Sequence, residues 1–173
     1  MTVSLTESIR RTLLTSPRPT TRRKFTLFSL GLAAALPFRA RALTSALPAS
    51  TSLAVELSAA LNAGRPLIVM VSLEGCAYCK IVRESYLTPL RSETGQPIVQ
   101  IDMGSAAAMR DFQGALTTQG AQVGAWNVMV APTLLFFGTG GYECAARLLG
   151  FPSADFYGAY LEQRLRDASR GIR

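Results

Sequence analysis

The hydrophobic pattern divides the chain beyond residue 52 into elements in the order α-β-α-β-α-β-β-α. Ser52 caps a first helix whose Leu53, Leu57, Ala60 and Leu61 fall at helical spacing. Asn62-Ala63-Gly64 ends it, and Pro66 blocks its continuation. Leu67 to Leu73 is nearly continuous in apolar character, which predicts a central strand covered on both faces. A second helix begins at Cys76, with Val82, Tyr86, Leu87 and Leu90 as its apolar stripe. Lys80, Arg83 and Glu84 then face water, and Pro89 lies near the end. Ile98 to Asp102 reads as a second buried strand. Between Gly104 and Ala125, Met109, Phe112 and Leu116 are spaced for one weak helix, interrupted by Gly114, Gly120 and Gly124, with a loop. Thr133 to Phe137 is a third strand, and Gly138-Thr139-Gly140-Gly141 a hairpin turn. The partner strand runs from Tyr142 to Leu149, with Tyr142, Cys144, Ala146 and Leu148 on one face. Gly150 breaks it. Ser153 caps a last helix with Phe156, Tyr160, Leu161 and Leu165 inward.

The chemistry concentrates at Gly75-Cys76-Ala77-Tyr78-Cys79-Lys80, where the first strand gives way to the second helix. Two thiols three positions apart form a small redox unit. The first can act as a nucleophile and the second can close a disulfide onto it. The same spacing also suits an inert bridge or half of a metal site. The chain has no histidine, which disfavours histidine-containing zinc or copper sites and removes the Cys–His catalytic pairing. Three cysteines are too few for a disulfide scaffold or a four-cysteine zinc site. The third, Cys144, falls on the apolar face of its strand and reads as a buried, unreactive thiol.

Charge changes the picture only at one end. Residues 1–42 hold eight basic side chains against Glu7, which accounts for the whole formal charge of +7. Residues 43–173 balance ten basic against ten acidic side chains, so the basic composition marks no nucleic-acid-binding face. Thr21-Arg22-Arg23-Lys24-Phe25-Thr26-Leu27 resembles the twin-arginine export motif, Ser/Thr-Arg-Arg-x-Phe-Leu-Lys, with Thr26 and Leu27 in place of the final Leu-Lys. The apolar run from Leu27 to Phe38 is shorter than the ~20 residues of a membrane span. Ala40-Arg41-Ala42 fits a small-x-small cleavage site. The organisation read from this is a signal peptide over 1–42, a linker over 43–52 and one domain over 53–173. Export places the mature protein in the periplasm. An uncleaved segment would instead leave it anchored to the membrane, facing the periplasm.

A second signature joins the cysteine motif. Trp126-Asn127-Val128-Met129-Val130-Ala131-Pro132-Thr133-Leu134-Leu135-Phe136-Phe137 resembles the thioredoxin segment aromatic-Gly-Ile-x-x-x-Pro-Thr-Leu-Leu-Leu-Phe, in register. With it, nearly all of residues 53–170 resembles the thioredoxin-like superfamily, most closely the exported bacterial SoxW-like group. The resemblance implies an α/β thioredoxin fold, a central mixed sheet of about four strands flanked by helices. It implies a cis Ala131–Pro132 bond, which places the Ala131 backbone beside Cys76 where an extended substrate chain can pair. It implies a thiol–disulfide oxidoreductase with Cys76 as nucleophile and Cys79 as resolving thiol, needing no cofactor beyond the redox-active disulfide. The expected partners are protein thiols and disulfides and an upstream redox protein. Tyr78 and Trp126 would border the site, Trp126 having a core role as its alternative.

The chain departs from cytosolic thioredoxin at several positions. Gly75 replaces the tryptophan before the first cysteine, Glu84 replaces the helix-kinking proline, and Met70 stands where thioredoxin has a buried aspartate. Glu74 is then the nearest acid by sequence for proton transfer, weighed against a solvated loop carboxylate. The Ala-Tyr dipeptide favours reduction or isomerisation over strong oxidation. A thioredoxin-fold binding module without turnover, or a two-thiolate copper(I) chaperone, is the alternative function.

Overall fold

A computed structural model describes residues 46–172. The export motif, the cleavage site and the first residues of the linker lie outside the described residues.

The sheet is built around the apolar run that the sequence marks. Strand β1 (Leu67–Ser72) is buried at all six positions. It lies second in a four-stranded sheet of order β2-β1-β5-β6. β1 pairs in parallel with β2 (Ile98–Asp102), Ile68 opposite Ile98 and Ser72 opposite Asp102. It pairs antiparallel with β5 (Thr133–Phe137), Leu67 opposite Phe137 and Val71 opposite Thr133. A short β6 (Leu148–Leu149) closes the other edge against β5.

Alternation along β1 divides the core in two. Ile68 and Met70 join Leu134, Phe136, Cys79, Val82, Leu87, Tyr157 and Leu161 on one face. There the sheet carries α2 (Ala77–Val82), α3 (Thr88–Thr94) and α5 (Ala154–Gly171). Leu67, Val69 and Val71 join Leu135 and Phe137 on the other face, under α1 (Leu53–Asn62) and α4 (Gln119–Ala125). Each large apolar side chain buried this way contributes about 1.5–3 kcal/mol.

Several expectations are corrected. From Leu47 onward the expected linker is part of the sheet edge. Gln100 N–H donates to the Pro48 carbonyl and Ser50 N–H to the Gln100 carbonyl, both at 2.8 Å. Leu47 and Ser50 are buried. This edging covers the open hydrogen-bonding side of β2, which a bare edge strand would expose. Ser52 caps α1 by position only. Instead Glu56 accepts from Ser50 Oγ at 2.6 Å and from the N–H of Thr51 at 2.9 Å.

Residues 104–125 form a hairpin and a short helix, not one weak helix. β3 (Ala108–Arg110) pairs antiparallel with β4 (Leu116–Thr118), and α4 follows at once. The turn explains the difference. The Asp111 carboxylate accepts from the N–H groups of Gln113 and Ala115 at 2.9 and 2.8 Å, and Gly114 takes φ +82°. That local bonding outcompetes the helix.

The expected strand from Tyr142 to Leu149 shortens to Leu148–Leu149, with one isolated bridge between Phe137 and Glu143. In α5 the buried stripe is Tyr157, Leu161 and Ala168, whereas Phe156 and Tyr160 lie on an exposed flank. The helical segment that begins at Ala77 continues past Pro89, with Arg83–Leu87 widened into a π-turn before α3 begins. A proline lacks the N–H donor and crowds the carbonyl four residues back, and a widened turn relieves both.

Candidate functional site

β1 ends at Ser72, and the chain turns through Leu73, Glu74 and Gly75 into α2. Gly75 takes φ +73°, a left-handed conformation that suits glycine. The Cys76 N–H donates to the Leu73 carbonyl at 3.2 Å and closes the turn. Cys76 is the N-cap of α2, and its sulfur accepts from the Cys79 N–H at 3.1 Å. The sulfur thus sits where a capping oxygen would, at the end of a helix that favours negative charge.

Cys76 and Cys79 are joined in a disulfide, their Cα atoms 5.2 Å apart. The two sulfurs differ in surroundings. Cys76 is half-buried, whereas Cys79 is 0% exposed in the apolar cluster of Met70, Val82 and Leu134. An attacking reagent can therefore reach Cys76 and not Cys79.

The second signature meets the first in space. The Ala131–Pro132 peptide bond is cis, and the Ala131 carbonyl oxygen lies 4.0 Å from Cys76 Sγ. The loop is tied down by Thr133 Oγ1 donating to the Val130 carbonyl at 2.7 Å and by Gly150 N–H donating to the Pro132 carbonyl at 2.7 Å. Tyr78 is exposed, and its ring stacks on Phe151 at 5.9 Å. Phe151 in turn meets Tyr86 and Tyr157. Met129, Val130 and Leu149 are also exposed on the proline loop and its strand neighbour. Sequence reading singled out Tyr78 and missed this apolar company. The run Val128-Met129-Val130 before the proline carried the signal.

On the other side of Cys76 an open groove of about 760 Å³ is lined by Glu74, Lys80, Arg83, Gln100 and Asp102 among others. Glu74 lies on its exposed rim. Arg83 does not face water as its position in the helix stripe suggested. It is half-buried, donating from Nε to Gln100 Oε1 at 2.8 Å and from Nη2 to Ser72 Oγ at 3.2 Å.

Trp126 is a correction. Its ring packs on Phe137 at 5.1 Å and on Phe112 at 6.1 Å, in the cluster on the sheet face opposite the cysteines. The structure gives it the core role, not a place at the rim. Phe137 pairs with Leu67, the end of β1 remote from the Cys76 turn. Cys144 is a half-buried free thiol whose Sγ donates to the Phe136 carbonyl at 3.4 Å. Burial pushes that thiol up, its own backbone hydrogen bond opposes this, and the Glu143 charge adds to the rise. A thiol held protonated is a poor nucleophile.

No protein-family model matches the chain, and neither does any curated protein. Among solved structures, a thioredoxin-fold protein from Helicobacter pylori matches with a TM-score of 0.56 and 12% identity, over 75% of this chain and 83% of that one. That likeness, with the mixed four-stranded sheet and its flanking helices, establishes the thioredoxin fold. Oxidised thioredoxin O2 from Arabidopsis thaliana matches at 18% identity with a TM-score of 0.46, covering 68% of this chain and 95% of that one. The periplasmic thioredoxin SoxS from Paracoccus pantotrophus, in reduced form, matches at 20% identity with a TM-score of 0.40, covering 60% and 98%. At these identities the likeness concerns the fold alone. Among the described residues, no helix is long and apolar enough to cross a membrane.

Proposed function

We propose that the protein is a thiol–disulfide oxidoreductase that exchanges electrons with protein disulfides through Cys76 and Cys79. The observation that carries this reading is the asymmetry of the disulfide. One sulfur is reachable at a helix N-terminus, 4.0 Å from a backbone carbonyl, and the other is enclosed. In the reduced protein the Cys76 thiolate attacks a substrate disulfide, forming a mixed disulfide and releasing one substrate thiolate, which takes a proton. The Cys79 thiolate then attacks Cys76 Sγ. The second substrate sulfur leaves as a thiol, and the Cys76–Cys79 disulfide forms. Two electrons pass to the substrate, and an upstream dithiol protein must return them. No further cofactor takes part.

The Ala131 backbone and Pro132 would receive an extended substrate segment, with Tyr78 flanking it. The exposed Met129, Val130 and Leu149 supply apolar area for the same segment. Among the described residues no carboxylate is buried, so the enclosed Cys79 beside Met70 has no buried acid to take its proton. Its proton therefore leaves through water when the mixed disulfide opens, with Glu74 as a solvated acceptor at the groove rim. The Ala-Tyr dipeptide supports a reducing or isomerising direction. Potentials in this fold run from about −270 to −120 mV, set by stabilisation of the reduced thiolate. The twin-arginine-like motif supports export to the periplasm, with a mature N-terminus at Leu43.

Insulin reduction driven by dithiothreitol tests the reading. The wild-type protein is expected to accelerate precipitation of the insulin B chain, and Cys76→Ser to abolish the acceleration. Full activity in Cys76→Ser would overturn the proposal. Export is tested by replacing Arg22 and Arg23 with lysine, which is expected to retain the full-length chain in the cytoplasm.

A further inference from the structure

We propose that Arg83 is a positioning residue for the exchange reaction, a fixed cation that stabilises the Cys76 thiolate in a groove otherwise rich in carboxylates. The inference rests on Cys76 being the attacking thiol.

The guanidinium is held from two directions. Gln100 on β2 takes Nε–H, and the buried Ser72 at the end of β1 takes an Nη2 N–H. These bonds tie the helix to the end of β1 and the middle of β2 beneath it. Arg83 and Cys76 line the same groove. They stand seven positions apart, about 10 Å along the axis at ~1.5 Å per residue. Helical side chains lean back toward the N-terminus, which brings the cation toward the sulfur.

The charges around Cys76 decide the sign. The helix brings Lys80, Arg83 and Glu84, the preceding turn brings Glu74, and the end of β2 brings Asp102. The proline loop brings none, since Met129 to Thr133 carries no charged side chain. Lys80, Glu74 and Glu84 are exposed and screened by water. One Asp102 oxygen already accepts from the Gly104 N–H at 2.9 Å. Arg83 is half-buried and acts through less solvent. Remove it, and three carboxylates face one ammonium around a sulfur that must become negative. At that separation of about 10 Å, a unit charge in an effective dielectric of about 40–80 moves a titration by about 0.3–0.6 unit.

The test is the pH dependence of iodoacetamide alkylation at Cys76 in the reduced protein, followed by peptide mass mapping. Arg83→Met and Arg83→Gln are compared with wild type. Both are expected to raise the Cys76 titration by about 0.3–0.6 unit and to slow alkylation at pH 6.5 by about two- to fourfold. Arg83→Lys is expected to recover at least half of the shift. Arg83→Gln keeps an amide donor for Ser72, so it isolates charge if Arg83→Met proves unstable. A Cys76 titration in Arg83→Gln within 0.2 unit of wild type overturns the role of Arg83 and leaves the exchange reading standing. Insulin turnover surviving in Cys76→Ser overturns the exchange reading itself, whatever the Arg83 variants do.

Discussion

Placing an aspartate at Met70 tests how apolar the surroundings of Cys79 are. Met70 is 0% exposed in the middle of β1, in one cluster with Ile68, Cys79, Val82, Leu134 and Phe136. Met70→Asp removes an apolar side chain worth about 1.5–3 kcal/mol, of which the shorter aspartate recovers little. It also buries a carboxyl with no cation in that cluster. Burial of this kind raises a carboxyl pKa by about 3 units, equivalent to about 4 kcal/mol once the unfolded chain is ionised. The sign follows from linkage. The folded value lies above the unfolded value of ~3.9, so the added loss is absent below pH ~4 and grows through pH ~7. The slope is about 1.4 kcal/mol per pH unit over that window. Urea denaturation of the oxidised protein at pH 4 and pH 7 measures it. The variant is expected to be about 2 kcal/mol less stable than wild type at pH 4 and about 5–6 at pH 7. A pH-independent difference below 1 kcal/mol would refute the apolar surroundings, and with them the water-mediated proton route from Cys79.

Tyr157 is fully buried, and its hydroxyl has no hydrogen-bond partner among the described residues. Tyr157→Phe is therefore expected to be neutral or stabilising by up to ~1 kcal/mol in thermal or urea unfolding. Burial, with the Tyr86 charge adding to it, raises the Tyr157 pKa. Wild-type stability should thus fall as pH rises past the unfolded tyrosine value of ~10, and the Phe variant should lack that part of the fall. Gly75→Ala meets no atom within 4 Å but must adopt φ +73°. It is expected to lose about 1 kcal/mol from backbone strain alone. Glu74→Gln is expected to leave insulin turnover within about twofold at pH 7, and a tenfold loss would make Glu74 an obligatory proton acceptor.

The parts of the fold legible in the sequence are those where pattern and packing agree. β1 and β5 are nearly continuous apolar runs because each lies between two cores. The cysteine motif and the proline signature are short and local, and the fold brings them within 4.0 Å. What stayed hidden lay in one local turn and in partners distant in the chain. The β3–β4 hairpin is fixed by the Asp111 side chain and Gly114, while Met109, Phe112 and Leu116 happen to repeat at helical spacing. Arg83 read as a solvated helix residue because its acceptors, Ser72 and Gln100, come from two strands. Trp126 opens the signature in sequence, yet its ring turns into the opposite core. The residues at 47–50 looked like a linker because the stretch from 43 to 52 is rich in Ala, Ser, Thr and Pro, although their backbone edges the sheet.

The division of labour between the two sulfurs is the central claim, and a trapping experiment addresses it most directly. Cys79→Ala is mixed with a disulfide-bonded substrate protein, and the conjugate is digested and mapped by mass spectrometry. The account predicts a stable mixed disulfide through Cys76, and none when Cys76→Ala is treated alike. A conjugate that forms through Cys79 in the Cys76→Ala protein at a comparable rate would contradict it.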